Sequence, residues 1–160
     1  MKRTLIMSLL LVGAVVVAAP TPAAAETAAT HKLIAPDSIT WGPAPAALPA
    51  GAEVAVLYGD PSKDGQFAMR IRLPLGYSVP PHSHPKPEAV TVISGVFKLG
   101  LGETADATKA QPLAAGSFAV LEPGTAHFVS VDEETVIQIN SVGPWGIVYI
   151  DPADDPRTTQ

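Results

Sequence analysis

From residue 53 to residue 150 the chain is a succession of short apolar runs of four to eight positions, separated by segments that contain glycine, proline or charged residues. The runs, rich in Val, Ile and Leu, fall at residues 53–58, 66–73, 89–93, 96–101, 117–121, 128–131, 135–140 and 146–150. Runs of this length bounded by turn residues are strands, and no stretch of residues 26–160 carries the 3.6-residue apolar spacing of a helix. Turn signals separate them: Gly59-Asp60-Pro61, Lys63-Asp64-Gly65, Pro80-Pro81 and Pro123-Gly124. Many short strands at even spacing predict an all-β sandwich or barrel, in one domain.

The first residues are of another kind. Lys2 and Arg3 precede an apolar stretch from Leu5 to Ala19, broken by Ser8 and Gly13, then Pro20, Pro22 and three alanines. A basic start, an apolar middle and small residues at a cleavage point predict a signal peptide over residues 1–25, cut before Glu26. The rival, a membrane anchor, lacks span length and a basic stop signal. The expected product is periplasmic or secreted, with no membrane attachment after cleavage. It would hold a loose leader at 26–35, the β domain at 36–151 and an acidic tail at 152–160. The chain has no cysteine. That removes disulfides, thiol ligands, thiol catalysis and a lipid anchor, so the domain must be held by its own core. Losing Lys2 and Arg3 takes ten basic residues to eight against fifteen acidic ones, a charge of about −7. That surface repels phosphate backbones, and nucleic-acid binding is excluded as an expectation.

Three of the four histidines sit in two spaced segments with one glutamate. The first contains Gly76, His82, His84, Glu88 and Gly95; the second contains Gly116, Glu122, Pro123, Gly124 and His127. His82 and His84, two apart, share a face if they lie on a strand. Glu88, after the Pro85-Lys86-Pro87 break, opens the next strand, and His127 must arrive from a different one. Neutral imidazoles with one carboxylate suit a divalent transition metal. A metal-free lumen with the same residues hydrogen-bonded is the alternative.

These two segments resemble the paired motifs of the cupin superfamily. The first matches the family pattern at each fixed position. In the second, Glu122 stands in place of proline, beside Pro123, and Val131 in place of asparagine. The chain also looks like small bacterial ChrR-like cupins, through Leu57-Tyr58-Gly59-Asp60 and an ending that runs from Gly143-Pro144-Trp145 to Pro156. The resemblance implies a jelly-roll β-barrel, the double-stranded β-helix, with His82, His84, Glu88 and His127 around one metal. Zinc, iron, copper, nickel and manganese all occur in cupins.

Four protein ligands on a six-coordinate ion leave two positions for a ligand, whereas tetrahedral zinc would be closed. The leading expectation is therefore a metal-dependent enzyme, of dioxygenase, lyase or isomerase type, on a small oxygen-donor molecule. Its rivals are a non-catalytic periplasmic metal or small-ligand binder and a protein that uses the metal as a core staple. Tyr77, Glu122 and Gln138 are candidate catalytic groups. Each has a plainer reading, as a core, turn or solvent-facing residue. Asn140, Arg70 and Arg72 are read as solvent-side, Trp41, Trp145 and Tyr149 as packing, and His31 as surface. A homodimer through residues 33–41 is expected.

Overall fold

The computed structural model describes residues 31–158. Residues Leu33–Gln160 form one compact unit, and all strands among the described residues lie in it. The expected signal peptide falls outside the described residues, as does the leader up to residue 30. Among the described residues there is no helix long and apolar enough to cross a membrane.

The strands are β1 (Gly42–Pro43), β2 (Glu53–Tyr58), β3 (Gly65–Leu73), β4 (Ser78–Ser83), β5 (Glu88–Ser94), β6 (Val96–Leu101), β7 (Gln111–Ala114), β8 (Phe118–Leu121), β9 (His127–Ser130), β10 (Thr135–Gly143) and β11 (Val148–Tyr149). They make two antiparallel sheets, a six-stranded one in the order β1-β2-β3-β10-β5-β8 and a five-stranded one in the order β11-β4-β9-β6-β7. Each of the eight apolar runs read from sequence contains or overlaps a strand, and 53–58 and 96–101 coincide with β2 and β6.

Alternation of side chains along each strand puts one set inward. On β3 the inward set is Phe67, Met69, Ile71 and Leu73; on β10 it is Thr135, Ile137 and Ile139. Apart from Thr135, these residues meet Val79, Phe97, Val129 and Tyr149 of the other sheet in one apolar cluster. On β5 the inward set is Glu88, Val90 and Val92, so the strand period itself drives a carboxylate into the interior.

β4 carries no apolar run, because its sequence is Ser-Val-Pro-Pro-His-Ser. Proline cannot donate to a ladder and is tolerated at a bulge. The pairing with β9 shows one: Val79 faces Val129, but His82, not residue 81, faces His127. One extra residue on β4 at Pro80-Pro81 thus sets which face His82 takes.

The segment at one end of the core is tied down by two tyrosines. The Tyr77 hydroxyl donates to the Pro49 carbonyl at 2.6 Å and the Tyr149 hydroxyl to the Ala47 carbonyl at 2.8 Å, with Leu48 buried between those anchors. The acidic C-terminal segment forms two 3-10 turns, Pro152–Asp154 and Pro156–Thr158. Arg157 pairs with Asp155 at 2.6 Å and donates to the Ile147 carbonyl at 3.2 Å, which fastens this segment back onto the domain. In the segment expected to contact a second copy, Leu33 is 95% exposed.

The β5–β6 hairpin turns at Gly95, with φ of +75°. A Cβ there would lie 2.5 Å from the Thr135 hydroxyl and 2.6 Å from the Glu134 carbonyl. Left-handed backbone and overpacking each cost about 1–3 kcal/mol for a side chain. Gly95→Ala should therefore lose about 2–4 kcal/mol in urea unfolding. Gly42→Ala, with nothing within 4 Å of the added methyl, should stay within about 0.5 kcal/mol of wild type. Equal stabilities for the two variants would contradict this account of the turn.

Candidate metal centre

The bulge in β4 brings His82 opposite His127 on β9, with ring centroids 4.2 Å apart. His84, one residue past the end of β4, lies 5.1 Å from the His82 ring and 5.3 Å from that of His127. One ring nitrogen from each of the three lies within 4.8 Å of the others. All three rings are buried. The Pro123-Gly124 turn carries His127 to this place. Gly124, with φ of +78°, donates its N–H to the His84 carbonyl at 2.9 Å, so the turn of the second segment is clipped onto the first. Val131 clips the other end: its N–H reaches the Tyr77 carbonyl at 3.0 Å, and its carbonyl accepts from Gly76 at 3.1 Å.

The second nitrogen of each ring settles the chemistry. His82 Nδ1 is 2.7 Å from the Pro80 carbonyl, His84 Nδ1 is 2.7 Å from that of Gly146, and His127 Nδ1 is 3.0 Å from that of Thr125. A carbonyl only accepts, so each Nδ1 donates, and each Nε2 is left with a lone pair. Glu88, also buried, adds an acceptor: its Oε2 is 3.3 Å from His84 Nε2. His84 Nε2 and Glu88 Oε2 are two acceptors in contact, an arrangement that a cation or a proton between them makes favourable. The donor set therefore fits a divalent transition metal. Glu88 stands beside the three-histidine set rather than within it. The reason is visible on its other oxygen, which accepts from Trp145 Nε1 at 3.1 Å.

Burial also suits the rings to ligation. Removal from water pushes His82 down to about 3, and the neighbouring His127 adds to the effect. His84 and His127 are lowered too, burial being the largest cause in both. Burial raises Glu88, against the opposing pull of the Trp145 hydrogen bond and of His127. The imidazoles are thus held neutral, the form that binds metal.

The centre opens into a cavity of about 40 Å³ between the sheets. Tyr77, Glu122 and Gln138, the candidate catalytic groups, do not line it. The Tyr77 hydroxyl is committed to Pro49, and Glu122 is exposed in its turn. Gln138 alternates with Ile137 and Ile139 and so faces outward, where it accepts from Arg70 Nε at 3.2 Å. Arg72 is on the same outer face, paired with Glu53 at 2.7 Å and 4.1 Å above the Trp41 ring. His31 is exposed. Trp145 is the residue that the sequence reading undervalued as packing. Its indole stacks on His84 at 5.5 Å, holds Glu88 and lines the cavity. Its place in the Gly143-Pro144-Trp145-Gly146 ending, quoted for the family resemblance, was the available signal.

Residues 19–148 match the family model described as a domain of unknown function, DUF4437. The chain belongs to this family. No curated protein matches it in sequence. Solved structures of the same fold include the polyketide cyclase RemF from Streptomyces resistomycificus, with a TM-score of 0.62, 15% identity, and 82% of this chain and 94% of that one covered. A candidate acetylacetone dioxygenase from Methylibium petroleiphilum PM1 gives 0.61, at 19% identity, over 82% of this chain and 88% of that one. An RmlC-like cupin from Shewanella frigidimarina NCIMB 400 gives 0.54, at 14% identity, over 72% and 94%. The fold is the cupin jelly roll, as the two motifs implied.

The depressed histidines give the metal-free protein a pH dependence of known sign. Between about 3 and the ordinary 6.5, the unfolded chain takes up protons at His82 that the folded chain refuses. His84 and His127 act in the same direction. Stability is therefore present above the ordinary histidine value and falls as pH drops below it. Raised Glu88 works the other way, favouring the folded state while its carboxyl keeps its proton. Chelator-treated protein should unfold at lower denaturant at pH 5 than at pH 7, with a shallower dependence in His82→Leu. No change in midpoint between the two pH values would contradict the burial argument.

Proposed function

We propose that this protein is a mononuclear metalloprotein that binds, and as an enzyme transforms, a small oxygen-donor molecule. His82, His84 and His127 hold the ion, and Glu88 completes the set. The observation that carries the reading is the tautomer pattern: three Nδ1–H groups spent on carbonyls and the Nε2 lone pairs turned toward one buried place. The half-open cavity beside them gives a small ligand a place next to the ion.

A bound divalent ion supplies Lewis acidity toward an oxygen donor and, where it is redox-active, electron transfer. This chain's residues supply the rest. The three carbonyls fix ring orientation. Trp145 holds Glu88 Oε1, which leaves Oε2 toward the centre. The aliphatic walls offer water no polar partner. The likeness in fold to a candidate dioxygenase and to a cyclase accords with small-molecule chemistry but does not choose the reaction. The small cavity, about 40 Å³, favours a second reading, a metal or small-ligand binder without turnover.

Metal analysis of the purified protein tests the centre. Wild type should bind one zinc or cobalt ion per chain, while His82→Ala and His127→Ala should lose stoichiometric binding and keep the β-rich circular dichroism spectrum. Trp145→Phe keeps a ring over His84 but frees the carboxylate, and should weaken metal affinity by about 10–100-fold. Unchanged metal content in both histidine variants would refute the assignment. Turnover against simple binding is separated by product analysis on the loaded protein with the ligand class argued next.

A further inference from the structure

The polarity of the cavity walls narrows the ligand, an inference that rests on the metal-centre reading above. Beyond the three histidines, Glu88 and Trp145, every lining residue is a leucine, isoleucine, valine or phenylalanine. Ile71 and Ile139 come from the six-stranded sheet, Phe97 and Val129 from the other, and Leu48 and Ile147 from loops. Among the described residues, no side-chain hydroxyl or amide and no lysine or arginine lines the space.

The polar atoms that are present are already committed. Each histidine Nδ1 is used by a carbonyl, and the indole N–H and one Glu88 oxygen are used by each other. Arg70 and Arg72, the cations that would meet a second carboxylate, are occupied on the outer face. A ligand can therefore satisfy polar atoms only at the ion itself. Each further hydroxyl buried against these walls would go unmet, at roughly tenfold or more in affinity.

Charge points the same way. A divalent ion with the Glu88 carboxylate leaves one formal positive charge, which a single monoanion neutralises. A dianion would leave a net negative charge among aliphatic side chains, with no cation to balance it. The cavity is also small, about 40 Å³, which favours a compact ligand.

We infer that the ligand is a compact, neutral or monoanionic oxygen chelate whose oxygens lie together at one end and whose flanks are hydrocarbon. Sugars, sugar acids and dicarboxylates are disfavoured in this cavity. Pentane-2,4-dione and malonate make a matched pair of probes. Both place two oxygens across three carbons, but the first ends in methyl groups and the second in carboxylates. The full chain is loaded with cobalt(II), its stoichiometry is measured, and each probe is titrated while the visible spectrum of the cobalt is followed, with glucuronate as a polyhydroxyl control. Pentane-2,4-dione should shift the cobalt bands with an affinity at least tenfold above that of malonate, and glucuronate should leave them unchanged. A cobalt-loaded protein that binds malonate or glucuronate as tightly as the dione overturns the ligand class while the centre stands. So does a loaded protein whose spectrum answers to none of the three. Failure to take up cobalt at all overturns the centre and this inference with it.

Discussion

Three imidazoles that donate from Nδ1 to main-chain carbonyls can present only lone pairs at Nε2, and here those lone pairs share one buried site with a carboxylate. The carbonyls that accept are all at interruptions of regular structure: Pro80 in the β4 bulge, Thr125 beside the Pro-Gly turn, and Gly146 in the loop between β10 and β11. A carbonyl within a regular ladder is spent on its neighbour strand, whereas one at a bulge or turn is free to orient a side chain. The prolines and glycines that punctuate this chain therefore do two things. They end strands, and they supply the acceptors that set the tautomers of the histidines.

The centre also joins the two sheets. His82 and His127 come from the five-stranded sheet, Glu88 from the inward face of the six-stranded one, and His84 from the connection between them. Trp145 closes the arrangement from the far end of the sequence, stacked on His84 and bonded to Glu88. An ion at this place would cross-link elements from residue 82 to residue 127 and stabilise the folded state by mass action.

The fold was legible because strand signals are local. Short apolar runs with glycine, proline or charged boundaries located β2, β3, β5, β6, β8, β9 and β10 to within a few residues. β4 was not legible as a strand, since Ser-Val-Pro-Pro-His-Ser has neither apolar alternation nor β-favouring residues beyond one valine; only pairing with β9 and β11 makes it extended. The four ligand candidates were legible because their spacing repeats a known motif. What sequence could not show was the state of each ring nitrogen, because the acceptors are backbone groups whose identity depends on the bulge and the loops. The same holds for Trp145. Its hydrogen bond to Glu88 spans 57 positions in sequence, and nothing in composition distinguishes such an indole from one packed in a core. Tyr77 and Gln138 were plausible on proximity alone; a hydroxyl captured by Pro49 and a strand period that turns the amide outward remove them from the cavity.

The central claim is that the three Nε2 atoms face a metal. X-ray absorption at the metal edge, on full chain loaded with one equivalent of zinc or cobalt, reads this directly. The expected spectrum shows imidazole multiple scattering from about three nitrogen ligands at about 2.0–2.2 Å, with an additional oxygen ligand at similar distance. A spectrum of oxygen neighbours alone, without the imidazole signature, would contradict the account.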